Sequence, residues 1–141
     1  MKLIYAYTRQ QAIEDGVLLR FEDYVRGEGG LFGPEYVEVE LEMIRIKEAR
    51  FPLGELVITP GAGASLHFID ARSCLMRHQL GDWGELDEED RLANEHALRE
   101  NLRLFSAYNV EDKRVDGSKV RIYVITEWNR EATTLLLPED Y

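Results

Sequence analysis

The clearest periodicity in the chain lies at Tyr36–Met43, YVEVELEM, where apolar and acidic residues alternate. Val37, Val39, Leu41 and Met43 fall on one side and Glu38, Glu40 and Glu42 on the other, which predicts a half-buried strand with a row of carboxylates on its wet face. Ile44 and Ile46 continue the apolar set one residue out of step, and a bulge or bend near Met43 would account for the slip. LGELVITPG predicts another strand, ended by Pro60-Gly61. Nearer the start, LIYAY (Leu3–Tyr7) suits a short strand. Thr8 stands three residues before Gln11, a capping-box spacing, so RQQAIED is expected to form two helical turns that stop at Gly16. VRGEGGLFGPE, with four glycines and a proline, predicts a loop and the best boundary between an N-terminal appendage, 1–34, and a main fold, 35–141, within one domain.

The pattern changes to a helical period after residue 69. Asp70 is the expected N-cap, and Ala71, Cys74, Leu75 and His78 recur on one face. Gly81 can take the left-handed conformation that ends such a helix. A second helix is expected after Asp87, with Glu88, Glu89 and Asp90 in its first turn, where the helix dipole favours negative charge, and with Ala93, Ala97 and Leu98 facing inward. RLFSAYNV and KVRIYVITEW are rich in β-formers and are separated by an Asp116-Gly117 turn; ATTLLLP, nearly continuously apolar, predicts a third strand buried on both faces. The order strand, helix, helix and three-stranded antiparallel meander, preceded by a strand/helix and β-strand extension, predicts an α+β fold with helices on one side of a curved sheet.

Charge narrows the function classes. The 141 residues include 17 basic and 27 acidic ones, for a net charge of −10. Non-specific nucleic-acid binding draws its affinity from basic side chains, and this chain lacks the surplus, so no direct nucleic-acid binding is expected. An acidic surface could instead meet a basic patch on a protein partner. No apolar run approaches membrane-spanning length, no signal-peptide pattern opens the chain, and the lone cysteine, Cys74, cannot build an internal disulfide framework; these features predict a cytoplasmic protein without membrane association.

From about Leu53 to Tyr141 the motifs RHQLGDWGELDEED, VRIYVITEWNREATT and LLLPEDY occur in sequence. Their combination resembles a family of small proteins carried on bacterial plasmids, prophages and other mobile elements, members of which are often mislabelled as a type I restriction endonuclease subunit M. The opening IYAYTRQQAIEDGVL separately looks like a segment that begins other mobile-element proteins. The resemblance implies a mobile-genetic-element setting and carries no activity with it. The chain departs from the family in a shortened segment around Gly63–Ile69 and in Trp128-Asn129, where an acidic residue is more usual.

Candidate chemistry centres on RHQLGDWGELDEED. Arg77 and His78 complement the dipole in the last turn of the first helix, Gly81 ends it, Asp82 can accept backbone N–H groups, Trp83 can close over the sheet edge, Gly84 lets the chain reverse and Asp87 caps the next helix. Each therefore has a folding role. An exposed tryptophan beside arginine is also the composition of an interaction hot spot. The element order is similar to that of RelE-type messenger-RNA interferases. A ribonuclease of that kind would draw on Arg77, His78, Arg103, Tyr108 and Arg130, with Glu127 as base, to take the 2′-hydroxyl proton and stabilise phosphorane charge. Those interferases are generally basic, whereas this chain is acidic.

Cys74, His78 and Asp82 are spaced by four, but zinc needs three or four converging ligands, and His67 and His96 sit in no ligand motif, so no metal is expected. PGAGAS lacks the lysine of a phosphate loop and reads as a strand-to-helix turn, while Ser106 and Ser118 lack a nucleophile-elbow context; no cofactor is expected. The chain is thus read as a non-catalytic accessory protein. It would bind a partner with a basic surface, in the manner of anti-restriction or anti-CRISPR proteins, through Glu38, Glu40, Glu42, Glu85, Asp87, Glu88, Glu89 and Trp83. A small RelE-like ribonuclease is the alternative, and self-association is left open.

Overall fold

The computed structural model describes residues 8–28 and 48–141. The expected strands at Leu3–Tyr7 and Tyr36–Met43, with Glu38, Glu40 and Glu42, lie outside the described residues. Numbered along the described residues, the elements are α1 (Arg9–Glu14), β1 (Leu19–Arg20), α2 (Phe21–Glu28), β2 (Glu55–Ile58), α3 (Pro60–Ser65), α4 (Phe68–Gln79), α5 (Glu88–Glu100), β3 (Leu104–Glu111), β4 (Lys119–Thr126) and β5 (Ala132–Leu136). They form an α+β fold around one five-stranded sheet of order β1-β2-β5-β4-β3. β3, β4 and β5 are the antiparallel meander that the sequence predicts, whereas β2 joins β5 in parallel and makes the sheet mixed. β5 lies in the middle of the sheet, and each of its residues is buried.

Alternation along the strands builds two faces. Leu104, Ser106 and Tyr108 pair with Thr126, Val124 and Ile122, and this face receives the stripe Ala71, Cys74, Leu75 and His78 of α4. Ile58, Val124 and Leu135 belong to the same core as Phe21, Tyr24 and Val25 of α2. Val57, the neighbour of Ile58, points the other way and packs with Ala12 of α1 and Leu18. Residues 8–28 thus supply an edge strand and three residues of the main core, and the Tyr24 hydroxyl donates to Leu66 O at 2.7 Å. Among the described residues, no helix is long and apolar enough to cross a membrane.

The local signals in the sequence translate well at several caps. Thr8 accepts from the Gln11 N–H at 3.1 Å, and Asp87 accepts from the Asp90 N–H at 2.8 Å, each at the start of its helix. Replacing Asp87 with alanine is expected to cost about 1 kcal/mol, the usual worth of an N-cap oxygen, in urea unfolding; an unchanged midpoint would show that the cap contributes nothing.

Four local expectations need correction. Helix α2 runs through Val25–Glu28, where a loop is expected, because Phe21, Tyr24 and Val25 bury one stripe against the core while Gly27 points into open space. PGAGAS is itself a short helix, with Thr59 as its N-cap accepting from the Ala62 N–H at 3.2 Å. Helix α4 begins at Phe68 rather than after Asp70, which lies in its first turn. In α5 the inward position is taken by Asn94 rather than Ala93, since the Asn94 amide spans the backbone N–H and C=O of Phe105 at 3.0 and 2.6 Å and so serves as a strand partner for the edge of β3.

Candidate functional site

Residues 82–86 join α4 to α5 by lying along the edge of β3. Ala107 N–H donates to Trp83 O at 3.3 Å, Glu85 N–H donates to Ala107 O at 2.7 Å, and Gly84 stands opposite Ala107. The remaining carbonyls are held by side chains. The Tyr108 hydroxyl donates to Asp82 O at 2.6 Å, Arg91 donates to Gly84 O and Leu86 O at 2.9 and 3.0 Å, and Arg121 donates to Glu85 O at 3.1 Å. Gly84 is required by the approach itself: it has a φ of +75°, and a Cβ there would stand 2.0 Å from Ala107 O.

The six residues of the ribonuclease alternative do other work. Arg77 pairs with Asp82 at 2.6 Å and lies over the Tyr108 ring, 4.5 Å from its centroid. The hydrogen bond from Arg77 holds the Asp82 carboxyl below the usual carboxylate range, against the opposing effect of partial burial. Tyr108 is buried, and burial pushes its phenol well above the ordinary value. Arg103 and Glu127 meet at 3.6 Å at the far end of β4. Arg130, at a φ of +59°, donates to Leu102 O at 2.6 Å, Ala97 O at 3.1 Å and Glu127 O at 3.0 Å, so it caps the C-terminal turn of α5 and ties it to the turn after β4.

His78 has no exposed surface. Thr133 Oγ1 donates to Leu53 O at 2.7 Å, so the hydrogen in the 2.7 Å contact between Thr126 and Thr133 comes from Thr126. Thr126 Oγ1 then accepts from His78 Nε2 at 2.9 Å, and His78 Nδ1 accepts from Ser106 Oγ at 2.5 Å. The chain of hydroxyls fixes the neutral Nε2–H tautomer. Burial, with the nearby Arg130 charge adding to it, pushes the imidazole pKa down to about 3. With both nitrogens engaged in the core, this ring has neither a lone pair nor a proton to offer a substrate. Cys74 lies on the same stripe, and burial raises its thiol to about 12, so it is a packing group rather than a ready thiolate. Among the described residues, no three of His, Cys, Asp and Glu gather in a way that could hold a metal ion.

No protein-family model, curated protein or solved structure matches the chain.

Trp83 is not the exposed anchor that the hot-spot composition suggests. It is 5% exposed, stacks against Phe51 at 6.3 Å, meets His78 edge-on at 5.7 Å and donates its Nε1–H to Glu95 at 2.9 Å. The reason is the sheet-edge pairing of residues 83–85, which carries the indole inward. Glu85, Glu88, Glu89 and Asp90, by contrast, are exposed and have no ion partner among the described residues; Asp87 is exposed too, with one oxygen engaged as the cap.

Between this corner and α5 runs an open groove of about 610 Å³, lined by Gly81, Trp83, Leu86, Glu88, Arg91, Leu92 and Glu95. Glu88, Leu92 and Glu95 follow one another at spacings of four and three along α5, so their common face was readable in the sequence. That this face looks across to Trp83 was not, because the contact depends on how the corner docks on β3.

Proposed function

We propose that this protein is a non-catalytic accessory protein that acts by binding a partner protein with a basic surface, through the carboxylates of the α4–α5 corner. One observation carries the proposal. The side chains suited to chemistry are spent on internal contacts, while Glu85, Glu88, Glu89 and Asp90 are exposed and have no ion partner among the described residues. Negative charge concentrated on an exposed corner steers a basic partner and fixes its register. The mobile-element setting implied by the sequence motifs makes a host defence or nucleic-acid-processing protein the partner of choice and the cytoplasm the place of encounter.

The test has two arms. Purified protein incubated with labelled RNA and DNA, with and without divalent metals, is expected to leave both intact; cleavage that disappears in Arg103→Ala would establish the ribonuclease alternative instead. For a partner recovered from the native host, the triple variant E85K/E89K/D90K is expected to bind about tenfold or more weakly and with a shallower salt dependence. Unaltered affinity at low salt would remove the acidic corner from the interface.

A further inference from the structure

We infer that the groove between the 81–86 corner and α5 seats a long cationic side chain, lysine or arginine, presented by the partner protein beside an apolar residue. This inference rests on the reading of the corner as a face for a basic partner and assigns what that partner inserts. The lining is mixed: Trp83, Leu86 and Leu92 give it apolar surface, the first two buried and Leu92 61% exposed, beside the charged Glu88, Arg91 and Glu95. A lysine or arginine side chain offers a matching sequence of chemistry, methylenes first and charge last.

The charged groups of the lining divide into two kinds. Glu95 is already held by Arg50, at 2.8 and 2.9 Å, and by the Trp83 Nε1–H. Arg91 is turned toward the carbonyls of Gly84 and Leu86. Glu88 has no ion partner among the described residues and stands one turn before Leu92, where the head of a cation laid along the leucine would arrive. Glu85, Asp87, Glu89 and Asp90 extend the same sign of charge beyond the groove and oppose an anionic occupant such as nucleic acid. The exposed side chain of Leu92 gives an apolar neighbour of that cation its contact.

The test uses a Trp128→Phe background, so that indole emission reports Trp83 alone. The probe is the blocked peptide acetyl-Gly-Leu-Arg-Leu-Arg-Gly-amide, compared with versions carrying serine for leucine or glutamate for arginine. Saturable change is expected with the first, binding about tenfold weaker with the serine version, and none with the glutamate version. Glu88→Gln and Leu92→Ser, both at exposed positions, are each expected to weaken the first peptide about tenfold while leaving the thermal midpoint in place.

Four results overturn the inference: no saturation with any peptide, equal response to the serine version, wild-type binding by both variants, or emission that changes with protein concentration alone. The last would make a second copy of the chain the occupant. If the peptide result fails while E85K/E89K/D90K still loses the partner, the groove inference falls and the acidic corner stands. The opposite pair of results fails the corner and leaves the groove.

Discussion

Replacing His78 with alanine is expected to lower the free energy of unfolding by about 3–5 kcal/mol. The ring has no exposed surface, is hydrogen-bonded at both nitrogens to Ser106 and Thr126, and packs edge-on against Phe51 at 5.1 Å and Trp83 at 5.7 Å. Alanine would leave a cavity and deprive two buried hydroxyls of their partner. The same residue sets a pH dependence. As pH falls through 6.5, the unfolded chain protonates this imidazole, while the folded state resists until about 3. The stability it contributes is therefore fully present above pH 6.5 and is lost as pH falls, by roughly 2 kcal/mol between pH 6.5 and 4.5. Asp82 and Glu95, both held low by arginine partners, add a loss of the same sign at more acidic pH. Urea unfolding at several pH values checks both parts: the variant should be weaker at pH 7 and flatter across that window. A variant with the wild-type midpoint and slope would refute the buried neutral imidazole.

Trp83→Ala is expected to cost a similar 3–5 kcal/mol, the range for truncating a large buried aromatic side chain. Trp83→Phe should restore part of that, because it keeps the stack on Phe51 and loses chiefly the hydrogen bond to Glu95, a net contribution of about 1.5–3 kcal/mol where the acceptor is charged. Chemical unfolding followed by far-ultraviolet circular dichroism separates the two variants. If alanine and phenylalanine proved equally and only slightly destabilising, the indole would be a surface group, and the corner would need to be redrawn as a docking site centred on Trp83.

The elements that were legible in the sequence are those whose signal is local. Thr8 and Asp87 satisfy N–H groups three residues away, Gly81 takes the positive φ that ends α4, and Asp116-Gly117 reverses the hairpin between β3 and β4. The stripe Ala71, Cys74, Leu75 and His78 is buried as its spacing predicts. Where local signals competed with burial, burial won. Gly27 reads as a loop residue, yet the apolar stripe of Phe21, Tyr24 and Val25 gains enough by packing to carry the helix through it. His67, at the N-cap, offers no side-chain cap, and α4 nonetheless starts at Phe68, two residues ahead of the better capping residue Asp70.

The candidate site shows the same division. Arg77, His78, Gly81, Asp82, Trp83 and Gly84 were legible as a corner, because caps and reversals demand such residues at such spacings. The partners were not. Arg91 and Arg121 hold the corner's carbonyls from α5 and β4, Arg50 reaches Glu95, and Arg130 closes α5 from 30 residues further along the chain. A guanidinium at the end of a long stem can reach many acceptors, so its target is set by the docking of elements rather than by its place in the sequence.

Sequence alone determined the α+β class, the meander, the α4–α5 reversal and the acid-rich run at its end, because period, turn chemistry and charge count are properties of neighbouring residues. Tertiary structure decided that β2 runs parallel to β5, that the indole of Trp83 points inward and that His78 is a neutral core residue. Those outcomes depend on which surfaces lose water together and which distant hydroxyl or carbonyl then stands within reach of each buried polar atom.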